Sequence, residues 1–154
     1  DKIHFNFTSG FEADYTKWMQ GYRISVTDNQ ATWYKGAGFS AEYVVFREYL
    51  DMVFAYAGTL SLLQEMQQVP LSDMSIGDVF LDKGHAVIVV DMAVNQMSGK
   101  RLFMLAQSYM PAQDIQILKN LQSEELSPWY PLDFADRLVT PEWTFTPSDL
   151  RRFE

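Results

Sequence analysis

The sequence predicts an α+β fold, an antiparallel sheet with one long helix packed on it. Three observations carry this reading. Two β-prone runs flank a turn at Asp28-Asn29-Gln30, and a helical apolar period runs over Ser40–Met66. The remainder breaks into short apolar or alternating runs separated by turn residues. A hairpin, then a helix, then a meander is not the alternation of a doubly wound sheet.

In chain order, His4–Phe7 alternates and reads as a short strand ending at Ser9-Gly10. Tyr22–Thr27 and Ala31–Lys35 form a hairpin, and Gly36 and Gly38 break its pattern. Ser40 is the expected N-cap of the long helix, with Glu42 in the first turn where the helix dipole favours negative charge. Val44, Val45, Tyr49, Met52, Val53, Tyr56 and Leu60 then recur at helical spacing, with Gly58 the place where the helix would break. Val69-Pro70 ends it.

Met74–Asp78 is a turn feeding a strand at Val79–Leu81, and Ala86–Val90 is a continuous apolar run expected to be buried on both faces. Asn95–Gly99 is a hairpin loop, and Leu102–Gln107 its returning strand, so 85–93 and 101–108 are expected to pair antiparallel with the long helix against their sheet. Asp114–Lys119 reads as a further strand with Ile115 and Ile117 on one side. Leu126–Thr146, rich in aromatics and punctuated by Pro, reads as an irregular wrapping segment. Thr146-Pro147-Ser148-Asp149 is a capping sequence, so a short C-terminal helix is expected after it.

With 154 residues, a single domain over 1–154 is expected, and 47% hydrophobic against 21% charged residues is a globular balance. No run is apolar and long enough to span a membrane. A net charge of −8 speaks against a nucleic-acid partner. The absence of cysteine excludes a disulfide, a thiolate metal site and a Cys nucleophile within this sequence. With two histidines, His4 and His85, a multi-His metal centre is excluded too, and no metal or cofactor is expected. There is no Gly-rich phosphate loop, no Gly-x-Ser-x-Gly elbow and no His-Glu-x-x-His. A start at Asp1, without Met or a leader, reads as a trimmed chain. A secreted or cell-envelope location with its leader removed fits that start, and composition leaves the compartment open.

The chemistry-bearing block is Gly77-Asp78-Val79-Phe80-Leu81, then Gly84-His85 opening an apolar strand, then Leu105-Ala106-Gln107-Ser108 closing the next. In an antiparallel pair the start of one strand lies beside the end of its neighbour. His85 and Gln107 are therefore expected on one rim, where an amide oxygen can accept from the imidazole and fix its tautomer.

These stretches, within residues 74–108, resemble the second half of NlpC-type cell-wall peptidases, relatives of the papain-like fold. The resemblance implies His85 as general base and Gln107 as the residue that orients it. Nearly end to end, the chain also resembles a bacterial family of uncharacterised domains of unknown function. The stretches that carry this include Ile3–Thr8, Asp14–Trp18, Tyr56–Leu62, Ala106–Gln113 and Trp129–Tyr130 through Pro141–Phe145. That family's pattern implies a Cys-bearing helical segment upstream of Asp1.

A thiol hydrolase needs a thiolate beside its His, and this sequence holds the His and the amide without the thiol. Three explanations stay open: a nucleophile on an upstream segment, a non-catalytic relative, or a structural coincidence. Each residue also has a plainer role. His85 reads equally as a rim histidine bonded to backbone, Gln107 as a strand-end amide, Ser40 as a cap and Asp78 as a turn residue. His4 and Asn6 fit a half-exposed strand. The methionines fit core filling, and Trp18, Trp33, Trp129 and Trp143 fit packing better than a ligand platform. Two functions follow: a papain-like amide hydrolase acting on cell-envelope material, or a non-catalytic module of the same fold holding a peptide or glycan.

Overall fold

The structure is a computed structural model that describes residues 3–109, 111 and 113–153. Met110 and Ala112, within the signature stretch 106–113, lie outside the described residues. Helix and antiparallel strand are mixed, as the sequence predicts, and the chain forms two compact units, 1–65 and 66–154.

In the first unit, β1 (His4–Asn6) pairs antiparallel with β2 (Glu12–Asp14), and α1 (Tyr15–Met19) follows directly. Asp14 caps α1, its carboxylate accepting from the N–H of Thr16 at 2.6 Å and of Lys17 at 3.2 Å. The hairpin of β3 (Tyr22–Thr27) and β4 (Gln30–Lys35) turns at Asp28 and Asn29, both with positive φ, as a tight twisted hairpin requires.

The long helix is two helices. α2 (Tyr43–Tyr56) and α3 (Thr59–Glu65) are separated at Ala57, whose ψ of 153° is extended, and at Gly58. The Ser61 hydroxyl holds the break, accepting from the Gly58 N–H and donating to its carbonyl. Ser40 is not the cap: the capping position is Glu42, whose N–H meets Ser40 Oγ at 3.3 Å in the turn before the helix.

The buried face of α2 is not part of the core of the long antiparallel pair. Val45, Tyr49 and Val53 join Phe7, Ala13, Trp18 and Ile24 in the core of the first unit. Two hydrogen bonds fix that face: Tyr49 Oη donates to the Ala13 carbonyl at 2.6 Å, and Trp18 Nε1 to the Val45 carbonyl at 3.1 Å.

The second unit is built on one antiparallel sheet. Its strands are β5 (Gln67–Gln68), β6 (Val79–Asp82), β7 (His85–Val94), β8 (Arg101–Gln107), β9 (Gln116–Ile117), β10 (Trp129–Pro131) and, beyond the separate pair β11 (Leu138–Val139) and β12 (Thr144–Phe145), β13 (Leu150–Arg152). The spatial order is β10-β8-β7-β6-β13-β5, with β9 also on β8. The pairing of β7 with β8 is the one the sequence predicts, interrupted by a bulge between Val89 and Asp91.

Three details differ from expectation. β7 is not buried on both faces. His85, Val87 and Val89 are buried while Ala86, Ile88 and Val90 are half-buried, the alternation of an antiparallel sheet with one core face. In 114–119 only Gln116–Ile117 pairs, shorter than the strand expected; Ile115 and Ile117 share an exposed side, at 68% and 48%, and Leu118 is buried. The C-terminal helix is a single 3₁₀ turn, Pro147–Asp149. The capping box forms, but Leu150–Arg152 then pairs with β6 and β5, because Leu150 is buried beside Phe80.

Candidate active site

The rim of this sheet brings the two predicted residues into contact. The β6–β7 hairpin turns through Gly84, whose φ of +109° favours glycine, and delivers His85 opposite Asp82 as the first residue of β7. Ile88 pairs with Ala106, so the register sets Gln107 near the head of β7, one diagonal from His85. Diagonal neighbours on one face are within reach of long side chains. The His85 Nε2 to Gln107 Oε1 distance is 2.6 Å.

Beyond Gln107 stands a carboxylate. Gln107 Nε2 donates to Glu142 Oε2 at 2.7 Å, linking residues 35 apart in sequence. An ionised carboxylate only accepts, so the amide must present its NH₂ to Glu142 and its oxygen to His85. An amide oxygen only accepts in turn, so His85 Nε2 carries the proton. A neutral ring then holds its lone pair on Nδ1, the state in which an imidazole serves as a base.

The ring is enclosed by aromatics. Trp143 and Phe145 stack on it with centroids at 5.5 and 6.2 Å, and Tyr109 meets it edge-on at 5.4 Å. Trp143 is steadied by its Nε1–H on Asp82 at 3.4 Å. The imidazole is consequently only 7% exposed and Gln107 3%, whereas Glu142 sits at the exposed margin. Glu142 also reaches Tyr130 electrostatically. Burial, and secondarily this carboxylate, push the Tyr130 phenol up to about 12, while its hydroxyl donates to the Lys119 carbonyl at 2.6 Å.

Of the other singled-out residues, Trp143 stacks on the His85 ring, and the rest take these places within their own units. His4 is exposed on β1 and Ser40 precedes α2, both in the first unit. Trp18 is core, Trp33 packs on Phe11 beneath the Lys17 ammonium, and Trp129 lies on β10. Asp78 is the turn residue expected, its Oδ2 accepting from the Ser75 N–H at 2.8 Å, and it also forms an ion pair with Arg152. Among the described residues, no group of three or more His, Asp or Glu is placed to hold a metal ion. In the first unit a surface cavity of about 260 Å³ is lined by Phe7, Val26 and Tyr56; in the second, one of about 360 Å³ is lined by Leu71, Lys100 and Arg101 and not by His85.

Glu142 is a neighbour of the His85–Gln107 pair that the linear pattern did not assign, and Trp143, read there as packing, stacks on the ring. Neither strand periodicity nor spacing connects residue 142 to residue 107. The Pro141–Phe145 stretch was visible only as one of the recurring signatures of a family.

That family is shown by comparison. A family model described as a domain of unknown function (4846) matches residues 1–152. The chain belongs to this family. No curated protein and no solved structure matches it. For this domain family the rim of the second unit is therefore read from its own geometry.

Proposed function

We propose that the second unit supplies the base of a papain-like, NlpC-type hydrolase that cleaves an amide bond in cell-envelope peptide or glycopeptide. The observation that carries the reading is the buried His85 Nε2–Gln107 Oε1 contact at 2.6 Å. In this reaction His85 Nδ1 takes the proton of a thiol, and the thiolate attacks the substrate carbonyl. The tetrahedral intermediate collapses as the imidazolium returns its proton to the departing amine, and water then hydrolyses the thioester. Gln107 holds the ring throughout. The thiol belongs to a Cys outside this sequence, which has none. Neither a cofactor nor a nucleic-acid partner enters the scheme.

The test uses the full-length gene product on peptidoglycan stem-peptide fragments. We expect amide cleavage that an iodoacetamide-type reagent abolishes and that His85→Ala lowers by about 10²-fold or more. Cleavage that survives His85→Ala overturns the reading. The 154-residue chain alone is expected to show no thiol-dependent cleavage.

One observation favours the second reading, a non-catalytic peptide- or glycan-binding module. The His85 ring lies under Trp143 and Tyr109, and such a pair of rings offers flat apolar surface to a sugar or peptide. Calorimetric titration of the chain with the same fragments discriminates: binding lost in Trp143→Ala, without turnover by the full-length product, selects the module.

A further inference from the structure

We propose that Glu142 is a positioning residue that decides, through the Gln107 amide, which nitrogen of His85 bears the proton. The argument starts from the near-symmetry of a primary amide. Its oxygen and nitrogen ends have almost the same shape, so packing alone scarcely distinguishes the two orientations of Gln107. Their chemical consequences are opposite. With Oε1 toward the ring, His85 carries its proton on Nε2 and its lone pair on Nδ1. With the amide reversed, the NH₂ donates to Nε2, the proton moves to Nδ1, and that nitrogen can no longer accept one.

The ring cannot relieve this choice by turning, because Trp143 and Phe145 stack on it at 28° and 24° while Tyr109 meets it edge-on. Water cannot level the choice either, since Gln107 is 3% exposed. The asymmetry comes from the far side of the amide. Glu142 Oε2 lies 2.7 Å from Gln107 Nε2, and a reversed amide would set its carbonyl oxygen against that carboxylate oxygen. Glu142 is exposed and the residue it controls is buried, so a charge at the margin governs a proton inside. That this proton placement serves catalysis rests on the hydrolase reading; that Glu142 sets it does not.

The test reads the tautomer directly. His4 and His85 are the only histidines, so long-range ¹H–¹⁵N spectra of the histidine-labelled 154-residue chain, taken where the rings are neutral, give two separable patterns. Wild type is expected to show His85 with the Nε2–H form in excess by about tenfold or more, the scale set by a hydrogen bond to a charged group. Glu142→Gln keeps shape and hydrogen bonding but can donate as well as accept, and should bring the two tautomers toward parity. Glu142→Leu should do the same, with the His4 pattern and the backbone spectrum unchanged as the fold control.

A wild-type ring protonated on Nδ1 overturns the proposal with no variant needed, and so does an unchanged ratio in both folded variants. The amidase assay of the full-length product is independent of these spectra. A tautomer shift without amidase activity leaves Glu142 in its role and removes the hydrolase reading. Amidase activity with no tautomer shift does the reverse.

Discussion

Arg152 closes a two-pronged ion pair on the buried carboxylate of Asp78, Nε to Oδ1 at 2.6 Å and one guanidinium Nη to Oδ2 at 2.8 Å. The carboxylate is 1% exposed and also accepts from the Ser75 N–H, and the same guanidinium donates to the Asp73 carbonyl at 2.8 Å. The pair ties β13 to the turn that opens β6. The hydrogen bond to Asp78, more than its charge, holds the Arg152 guanidinium pKa above its usual value. Removing the arginine leaves a carboxylate that water cannot reach. Arg152→Met should therefore lower the melting temperature well beyond Arg23→Met, whose partner Glu48 is half-exposed and 3.6 Å away. Parallel thermal melts compare them, and equal losses would contradict the assignment.

The contact between His85 and Gln107 should register as coupling. Gln107→Leu leaves a buried imidazole N–H without an acceptor, a loss of about 1–3 kcal/mol in denaturant unfolding. His85→Leu should cost a similar amount by stranding the amide. The double variant should cost less than the two together, with about 1 kcal/mol or more of coupling. Strict additivity would mean that the two side chains stand side by side without an energetic bond.

Tyr130 predicts an alkaline limb. Its phenol pKa rises from 10.0 in the unfolded chain to about 12 in the folded one, because burial disfavours the phenolate and Glu142 adds repulsion. A group with a raised folded pKa contributes fully below its unfolded value, so this contribution is intact up to about pH 10 and declines toward pH 12. Its size is on the order of 2 kcal/mol. Tyr130→Phe should lose the hydrogen bond to Lys119 at every pH and flatten the decline between these limits. Unfolding free energies at pH 8, 10 and 11.5 test this. An equally steep alkaline decline in the variant would assign it to other groups.

Two glycines with positive φ should respond differently. A Cβ on Gly21, φ +89°, would lie 2.1 Å from the Ala37 carbonyl oxygen, so backbone must move as well as strain. A Cβ on Gly10, φ +83°, meets open space. Gly10→Ala should cost about 1 kcal/mol and Gly21→Ala several times that. The order of their denaturation midpoints decides it.

What the sequence makes legible follows from the range of each interaction. Ser9-Gly10, the hairpin around Asp28-Asn29 and the β7–β8 pair are specified within a few residues or one turn, and the structure matches them. The juxtaposition of His85 and Gln107 was also legible, because adjacency of strands implies adjacency of their ends. The split of α2 from α3 is legible at Gly58, but the Ser61 hydroxyl that holds it is not, because helical periodicity does not weigh a side-chain hydrogen bond. The fate of Leu150–Arg152 depends on an unpaired edge of β6 laid down much earlier in the chain, and a capping box says nothing about that. Glu142 is invisible for the same reason: its partner is 35 residues away and the link runs through a side-chain amide.

The position of β13 also bears on how the chain is made. β5 and β6 leave the ribosome long before the strand that lies between them, so the facing edges of both emerge during synthesis without their partner. Bare edges of this kind invite pairing with other chains. Translation that stalls before Leu150 releases a polypeptide with the rest of the second unit present but its sheet still open at both edges. Vulnerability to aggregation therefore lasts until Leu150–Arg152 has emerged, and those three residues end it.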